Sequence, residues 1–420
     1  MIQVYKFGGA SVKDAEGVKN LAKVVSLNQQ SSLLIVISAM GKTTNALEKI
    51  TEAFVNQTPD LHLLLDEVKI YHDQILFDLF EDRSHPIFDE IANTFIEVDW
   101  MLEDMPHPDY DFNYDQIVSV GELVSTKIVS AYLNFKGLDN QWIDARGYIQ
   151  TDNTYREGLV DWTKTSTSIQ NDLPQILAKK MIVTQGFIGG TSENFTTTLG
   201  REGSDYSAAI FAAILNAVSV TIWKDVSGVL NADPKLFEDV YKYDQLPYAE
   251  ALEMTYYGAT VIHPKTIKPL IQASIPLLVK PFLHPEEKGT CITKDATVST
   301  DHPAIIVKKD QVLASISTRD FSFITEENLT EIFRVFASLH IKINMMQISA
   351  LSFSVCVDHT PRKFDELLKM LNTDFRIRYN TNLELYTIRY FKPETIHTLS
   401  KSRIVLMEQL SRNTAQLVLK

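Results

Sequence analysis

Lys6 ends an apolar run, IQVYKF, and is followed at once by Gly8 and Gly9. A lysine at the carboxyl end of a strand, two glycines and a helix start form a set suited to an anion. The glycines let backbone N–H groups approach closely, the helix dipole favours negative charge, and the ammonium adds a point charge. A second set lies in TTTLGREGSDYSAA, where Gly200, Arg201, Gly203, Ser204 and Asp205 lead into an Ala-rich helix. The guanidinium fork of Arg201 fits a carboxylate or a phosphate, and Ser204 and Asp205 stand where the helix cap is expected. In IWKDVSGVLNADPK a strand ends at Lys224 and Asp225, and the turns after it carry Asp233 and Lys235. SVGELVS sets Glu122 in the first turn of an apolar helix, where an acid complements the dipole. His263, before Pro264, reads as structural. The stretch LLIVISAMGKTTN ends like a phosphate-binding P-loop. The glycine such a loop needs five residues before Gly41 is replaced by Val36, so no wide cradle forms. The segment instead predicts a strand-to-helix turn with Thr43 or Thr44 as cap. No HExxH pair, Cys/His cluster or GxSxG elbow occurs.

The elements that must hold these residues alternate. IQVYKF and LLIVISAM read as buried parallel strands, and the chain from Ala46 to about Leu138 is mostly helical, broken near MPHPDYD. QWIDAR, KMIVTQGFIG and VSVTIWKDV are strand-like, with the helix DYSAAIFAAILNA between the last two. This order predicts an α/β fold, a mainly parallel sheet flanked by helices. The character changes after residue 297. IIVKKDQVLASIST, a helix over ENLTEIFRVFASLH, IKINMMQIS, LSFSVCVD, a helix over RKFDELLKMLN, and FRIRYN follow in the β-α-β-β-α-β order of a ferredoxin-like unit. A further stretch, LELYTIRYF, a helical segment and NTAQLVLK, starts a second such unit that ends early.

With 420 residues the chain has room for two or three domains, and its formal net charge of −13 argues against general nucleic-acid or anionic-membrane binding. A polyanion site on such a chain must be locally positive. The two cysteines, Cys291 and Cys356, make no disulfide framework and read as small buried side chains. MIQVYKFGG has no leader-like pattern and no apolar run approaches membrane-spanning length, so a cytoplasmic location is the expectation.

Taken in order, KFGGASV, SAMGKTTN, SVGELVS, WIDARGYIQTD, QGFIG, TTLGREGSD, WKDVSGVLNADPK and GATVIHPKT with IPLLVKPF resemble aspartokinase, the ATP-dependent aspartate kinase of the amino acid kinase family. The resemblance runs from Lys6 to about residue 290, and the C-terminal units look like ACT regulatory domains. It implies an amino acid kinase catalytic domain over 1–297 and a regulatory ACT-like region, ferredoxin-like α+β, over 298–420. The implied reaction phosphorylates the side-chain carboxylate of L-aspartate to 4-phospho-L-aspartate, the first step toward lysine, threonine and methionine, with ATP and Mg²⁺. Lys6 would lie on the transferring phosphate with Gly8 and Gly9 nearby, and Asp205 at the catalytic centre. Ser38 and Thr44 would contact aspartate, Glu122 its amino group and Arg201 its α-carboxylate, with Phe187 and Ser204 close. Lys224, Asp225, Leu230, Asp233, Lys235 and Thr260 would fall on the nucleotide; no residue is assigned as a metal ligand. A homodimer or larger assembly through the ACT domains and an amino-acid effector are also implied.

The chemistry needs no general base, because a β-carboxylate of pKa ~4 is already ionised at neutral pH. Departures from the family pattern are Glu202 for a glycine in GRGGSD, Thr260 for a common lysine, Lys224 for a threonine and Leu230 for a tyrosine. Asn344 and Ala350 stand where lysine-sensitive relatives carry acids, so weak or absent lysine inhibition is expected. Two other readings stay open. One is an amino acid kinase acting on glutamate, acetylglutamate, carbamate or UMP, against which stand SVGELVS, GREGSD and the ACT-like tail. The other is a catalytically silent ACT-containing sensor, which has no need of Lys6, Glu122, Arg201 and Asp205 together.

Overall fold

The structure, a computed structural model, describes residues 1–27, 32–259 and 262–420. Two compact units emerge. The first takes Met1–Val229, Lys242–Leu252 and Val261–Val298; the second takes Leu230–Tyr241, Glu253–Thr260 and Ser299–Lys420. The chain therefore passes between units several times.

The first unit is built on strands β1 (Ile2–Phe7), β2 (Ser32–Ile37), β3 (Asn140–Trp142), β4 (Met181–Gln185), the hairpin β5 (Ile188–Gly190) and β6 (Thr196–Thr198), β7 (Ser219–Lys224), β8 (Gln245–Pro247), β9 (Leu277–Pro281) and β10 (Thr290–Thr293). Its helices are α1 (Ala15–Ser26), α2 (Thr43–Val55), α3 (Leu61–Leu79), α4 (Ile87–Glu103), α5 (Tyr110–Val118), α6 (Val120–Phe135), α7 (Trp162–Leu177), α8 (Gly203–Ile214) and α10 (Pro264–Ala273); α9 (Tyr248–Tyr257) runs on into the second unit. The sheet order is β3-β4-β2-β1-β7-β9-β10-β8, parallel throughout except where β9 meets β10. β1 lies inside, with Lys6 opposite Val36 on β2 and Ile222 on β7. Leu33 to Ile37 are all fully buried. Alternate residues on a strand face opposite ways. Phe7, Leu33, Ile35 and Ile37 join the core of α1 to α6, while α8 packs against β1, β7 and α10. Burying each such side chain stabilises the fold by roughly 1.5–3 kcal/mol before chain entropy is set against it.

The second unit is an antiparallel sheet of order β12-β13-β11-β14-β16-β15, formed by β11 (Ala304–Thr318), β12 (Ile343–Ile348), β13 (Phe353–Asp358), β14 (Phe375–Arg389), β15 (Val405–Leu410) and β16 (Thr414–Leu419). Helices α11 (Glu326–Ser338) and α12 (Pro361–Leu371) pack on it through Ile332, Phe336, Phe364 and Leu367; α13 (Pro393–Ser400) follows β14.

The alternating elements agree with the expected α/β architecture, with three local differences. FRIRYN and LELYTIRYF are one strand, β14, paired with β11 along its length; Asn382 takes a left-handed φ of 56° and the register shifts near Gln311, so the break in pattern is a bulge, not a turn. The helical segment after it is α13 followed by β15, a strand the pattern did not announce. Cys356 is buried, but Cys291 is only half-buried.

Candidate active site

The carboxyl ends of β1, β2 and β7 open onto a cavity of about 600 Å³ in the first unit. Lys6, Ser38, Thr44, Glu122, Phe187, Arg201, Ser204, Asp205 and Lys224 all line it, together with Tyr114, Arg156, Glu157, Thr198 and Glu202. Residues scattered over more than two hundred positions are gathered because a parallel sheet aligns its strand ends on one edge.

Lys6 is 8% exposed, and its Nζ stands 2.7 Å from Oδ1 of Asp205, which is 3% exposed. The contact is close for an ion pair but is not aligned as a hydrogen bond, and that oxygen has no other partner. Asp205 sits in the first turn of α8. The turn after β1 is held to the turn after β2: Ser38 N–H donates to Phe7 O at 3.1 Å and Gly41 N–H to Gly9 O at 3.0 Å. A Cβ on Gly9 would come within 2.6 Å of Ala39 O, so only glycine allows this approach.

Glu122, in the first turn of α6, is 2% exposed. Ala39 N–H donates to its Oε1 at 3.3 Å, and Oε2 has no partner. Burial pushes its carboxyl up to about 8, against the pull of the Ala39 N–H and the Lys6 charge. It is a buried acid with one unused oxygen on the wall of a cavity, an arrangement that suits a cation from outside. Arg201, by contrast, is exposed at the cavity edge.

Two capping expectations are corrected. The N-cap of α8 is Glu202, and Ser204 and Asp205 lie inside its first turn. At α2 the N-cap is Lys42 without a side-chain bond; the Thr43 hydroxyl donates back to Met40 O at 2.7 Å. In both, the chain enters the helix through a tight turn whose backbone dispenses with a side-chain acceptor. Glu202 is left-handed, φ 54° and ψ 30°, and lines the cavity. Burial and the nearby Asp205 charge raise its carboxyl, while Lys224, Arg201 and Lys6 pull the other way.

Arg156 and its neighbours carry no local sequence signal. Asp115 on α5 is fully buried and accepts from Thr198 N (2.9 Å), Thr198 Oγ1 (2.7 Å) and Arg156 N (2.9 Å). It thereby ties β6 and the Arg156 loop to one wall; burial pushes its carboxyl up to about 6. The Arg156 guanidinium lies 4.2 Å from the Tyr114 ring centroid and 3.5 Å from both Glu48 and Asp111.

Gly8 lies beside the site, where an added Cβ would sit 3.4 Å from Lys6 Nζ. Asp225 is exposed just beyond β7. Leu230, Asp233 and Lys235 belong to the second unit, where the Asp233 carboxylate accepts from Lys235 N–H at 2.9 Å. Thr260 lies outside the described residues. His263 caps α10, its Nδ1 accepting from Lys265 N–H at 3.2 Å, which fits the structural part expected of it. Among the described residues no three His, Cys, Asp or Glu side chains come together to hold a metal ion by themselves, and no helix is long and apolar enough to cross a membrane.

The sequence profile of the amino acid kinase family matches residues 1–281. Lysine-sensitive aspartokinase 3 of Escherichia coli (strain K12) is 30% identical over 361 residues, which are 86% of this chain and 79% of that protein. A chloroplastic bifunctional aspartokinase/homoserine dehydrogenase of Daucus carota is 33% identical over 313 residues, 72% of this chain but only 33% of that longer protein. The crystal structure of E. coli aspartokinase III in complex with aspartate and ADP (R-state) superposes with a TM-score of 0.83 at 26% identity, covering 100% of this chain and 96% of that one.

Proposed function

Because the chain belongs to the aspartokinases of the amino acid kinase family, we propose that it transfers the γ-phosphoryl group of ATP to the side-chain carboxylate of L-aspartate, giving 4-phospho-L-aspartate and ADP. The observation that carries this reading is the convergence of Lys6, Glu122 and Arg201 on one cavity. An amino acid with a second carboxylate needs a place for an ammonium, a place for an α-carboxylate and a charge at the reacting end; these three residues offer one each.

In this reading Glu122 receives the substrate ammonium on its unpartnered oxygen, and Arg201 takes the α-carboxylate through its fork. Ser38, Thr44, Phe187 and Ser204 shape the rest of the aspartate pocket. The β-carboxylate is already an anion, so no proton has to be removed. One of its oxygens attacks the γ-phosphorus, the bond from that phosphorus to the bridging oxygen breaks, and ADP leaves with the electron pair. The obstacle is repulsion between anions, and Lys6 with the N–H groups of the Gly8–Gly9 turn offsets it. Asp205 holds the Lys6 ammonium at the strand end. The nucleotide is assigned to the same edge, at Lys224 and Asp225. A buried carboxylate at Asp205 is a hard oxygen donor that fits Mg²⁺. When bound, such an ion would shield the phosphate charge.

The first unit is the catalytic domain in this proposal and the second a regulatory, ACT-like one that takes an amino-acid effector and joins copies of the chain; the protein works in the cytoplasm. The test is ADP release from Mg-ATP with L-aspartate, compared with L-glutamate and acetylglutamate. Turnover with aspartate alone is expected. Lys6→Ala should lower kcat by about 10²–10³-fold while the melting curve stays close to wild type; near-normal turnover would remove Lys6 from the mechanism.

A further inference from the structure

Glu202 occupies a backbone position that suits glycine. The left-handed region costs an L-residue about 1 kcal/mol, and the Glu202 side chain makes no capping bond in return. Yet the side chain lines the cavity, and its Oε2 has neither access to water nor a hydrogen-bond partner. One helical turn on is Asp205, whose Oδ1 is equally cut off from water and has only the unaligned Lys6 ammonium close by. Both residues line the same cavity, Glu202 as the N-cap of α8 and Asp205 in its first turn. Each carboxylate thus keeps one buried oxygen without a hydrogen-bond partner, which suits a cation.

We propose that Glu202, together with Asp205, supplies protein oxygens to the divalent cation that enters with the nucleotide. The assignment rests on the phosphoryl-transfer reading of this cavity. Magnesium is commonly held by one or two carboxylates plus substrate phosphates, so this pair needs no third protein ligand. Lys6, Arg201 and Lys224 line the same cavity. They disfavour a bare cation, so the metal and the phosphates arrive together. The strained backbone then has a reason: it aims a carboxylate where glycine would leave none.

The experiment uses the full chain with Mn²⁺ and ADP, following the free Mn²⁺ signal by electron paramagnetic resonance, for wild type, Glu202→Gln and Glu202→Gly. Both variants should bind Mn²⁺ at least about tenfold more weakly in the presence of ADP. ADP affinity without metal should hold or improve, since a negative charge has gone. Glu202→Gly suits φ 54° and should melt no lower than wild type, which separates lost metal from lost fold. Equal Mn²⁺ affinity in all three proteins overturns the assignment, as does an equal loss of ADP affinity with and without metal. Wild-type turnover with unmoved Mn²⁺ affinity leaves the reaction standing and removes only the Glu202 ligand. Absent turnover with a Glu202-dependent Mn²⁺ site does the reverse.

Discussion

In the proposed reading Glu122 meets the substrate ammonium, and without that cation burial favours its neutral form. Glu122, with its carboxyl pushed up to about 8, carries its proton at pH 7 when the cavity is empty. The substrate ammonium would draw that proton off. Aspartate binding at pH 7 should therefore release close to one proton, read by calorimetry as a heat that varies with the ionisation enthalpy of the buffer. Buffer-independent heat would count against Glu122 as the ammonium partner. The same shift has a stability consequence. The folded pKa lies above the ordinary 4.5 of a glutamate, so the contribution is present in full below about pH 4.5 and is lost as pH rises through 8. Glu122→Gln keeps the shape without the charge. It should be more stable than wild type by about 2–4 kcal/mol near pH 9, with the gap closing toward pH 5, and it should bind aspartate poorly. Thermal melts across that pH range check the sign. His72, buried and lowered to about 4, works in the opposite sense: its contribution is present above its usual 6.5 and fades as pH falls through 4.

Two loop crossings hold the site at the level of elements. The turns after β1 and β2 touch through Gly9, where a Cβ would lie 2.6 Å from Ala39 O, and Ala39 is also the residue whose N–H reaches Glu122. Gly9→Ala should cost about 1–3 kcal/mol, seen in denaturant unfolding, and should lower kcat further than stability alone explains, because Lys6 and Glu122 move apart. Gly147→Ala, with nothing near its would-be Cβ, is the control and should change neither. These crossings also explain what the sequence could reveal. Apolar runs such as LLIVIS and an Ala-rich helix announce a parallel sheet, and strand ends announce where its ligand edge lies. Lys6, Arg201 and Asp205 were legible because each stands within a few residues of a strand end or a helix start. Arg156 and Thr198 were not, since what holds them is Asp115, 41 and 83 residues away, and no local spacing encodes such a bond. The cap of α8 falls at Glu202, ahead of Ser204 and Asp205, because a left-handed glutamate holds a conformation that residue types assign to glycine or asparagine. Strand β14 was split for a related reason: a bulge and a turn look alike when only residue types are visible.

At the scale of the whole molecule, the second unit has a polar seam inside its sheet. Lys308 Nζ donates to Asn344 Oδ1 at 2.8 Å, Asn344 Nδ2 to Gln311 Oε1 at 2.9 Å, and Gln311 Nε2 to Asp358 Oδ1 at 2.8 Å. The chain's own ammonium thus sits on Asn344. Added L-lysine should leave turnover unchanged over a titration that also includes L-threonine; steep inhibition by lysine would mean that an acid elsewhere takes its ammonium. The path of the chain has a consequence for inheritance. Leu230–Tyr241 and Glu253–Thr260 belong to the second unit although the sequence returns to the first for Lys242–Leu252 and again for Val261–Val298. Phe237 packs with the Ile388 and Leu417 cluster of the far C-terminal strands. A single crossover near residue 298 would hand a foreign C-terminal segment to a Phe237 shaped for a different one. Exchanging the second unit between relatives thus takes several coordinated swaps, at Leu230–Tyr241 and Glu253–Thr260 as well as beyond Val298.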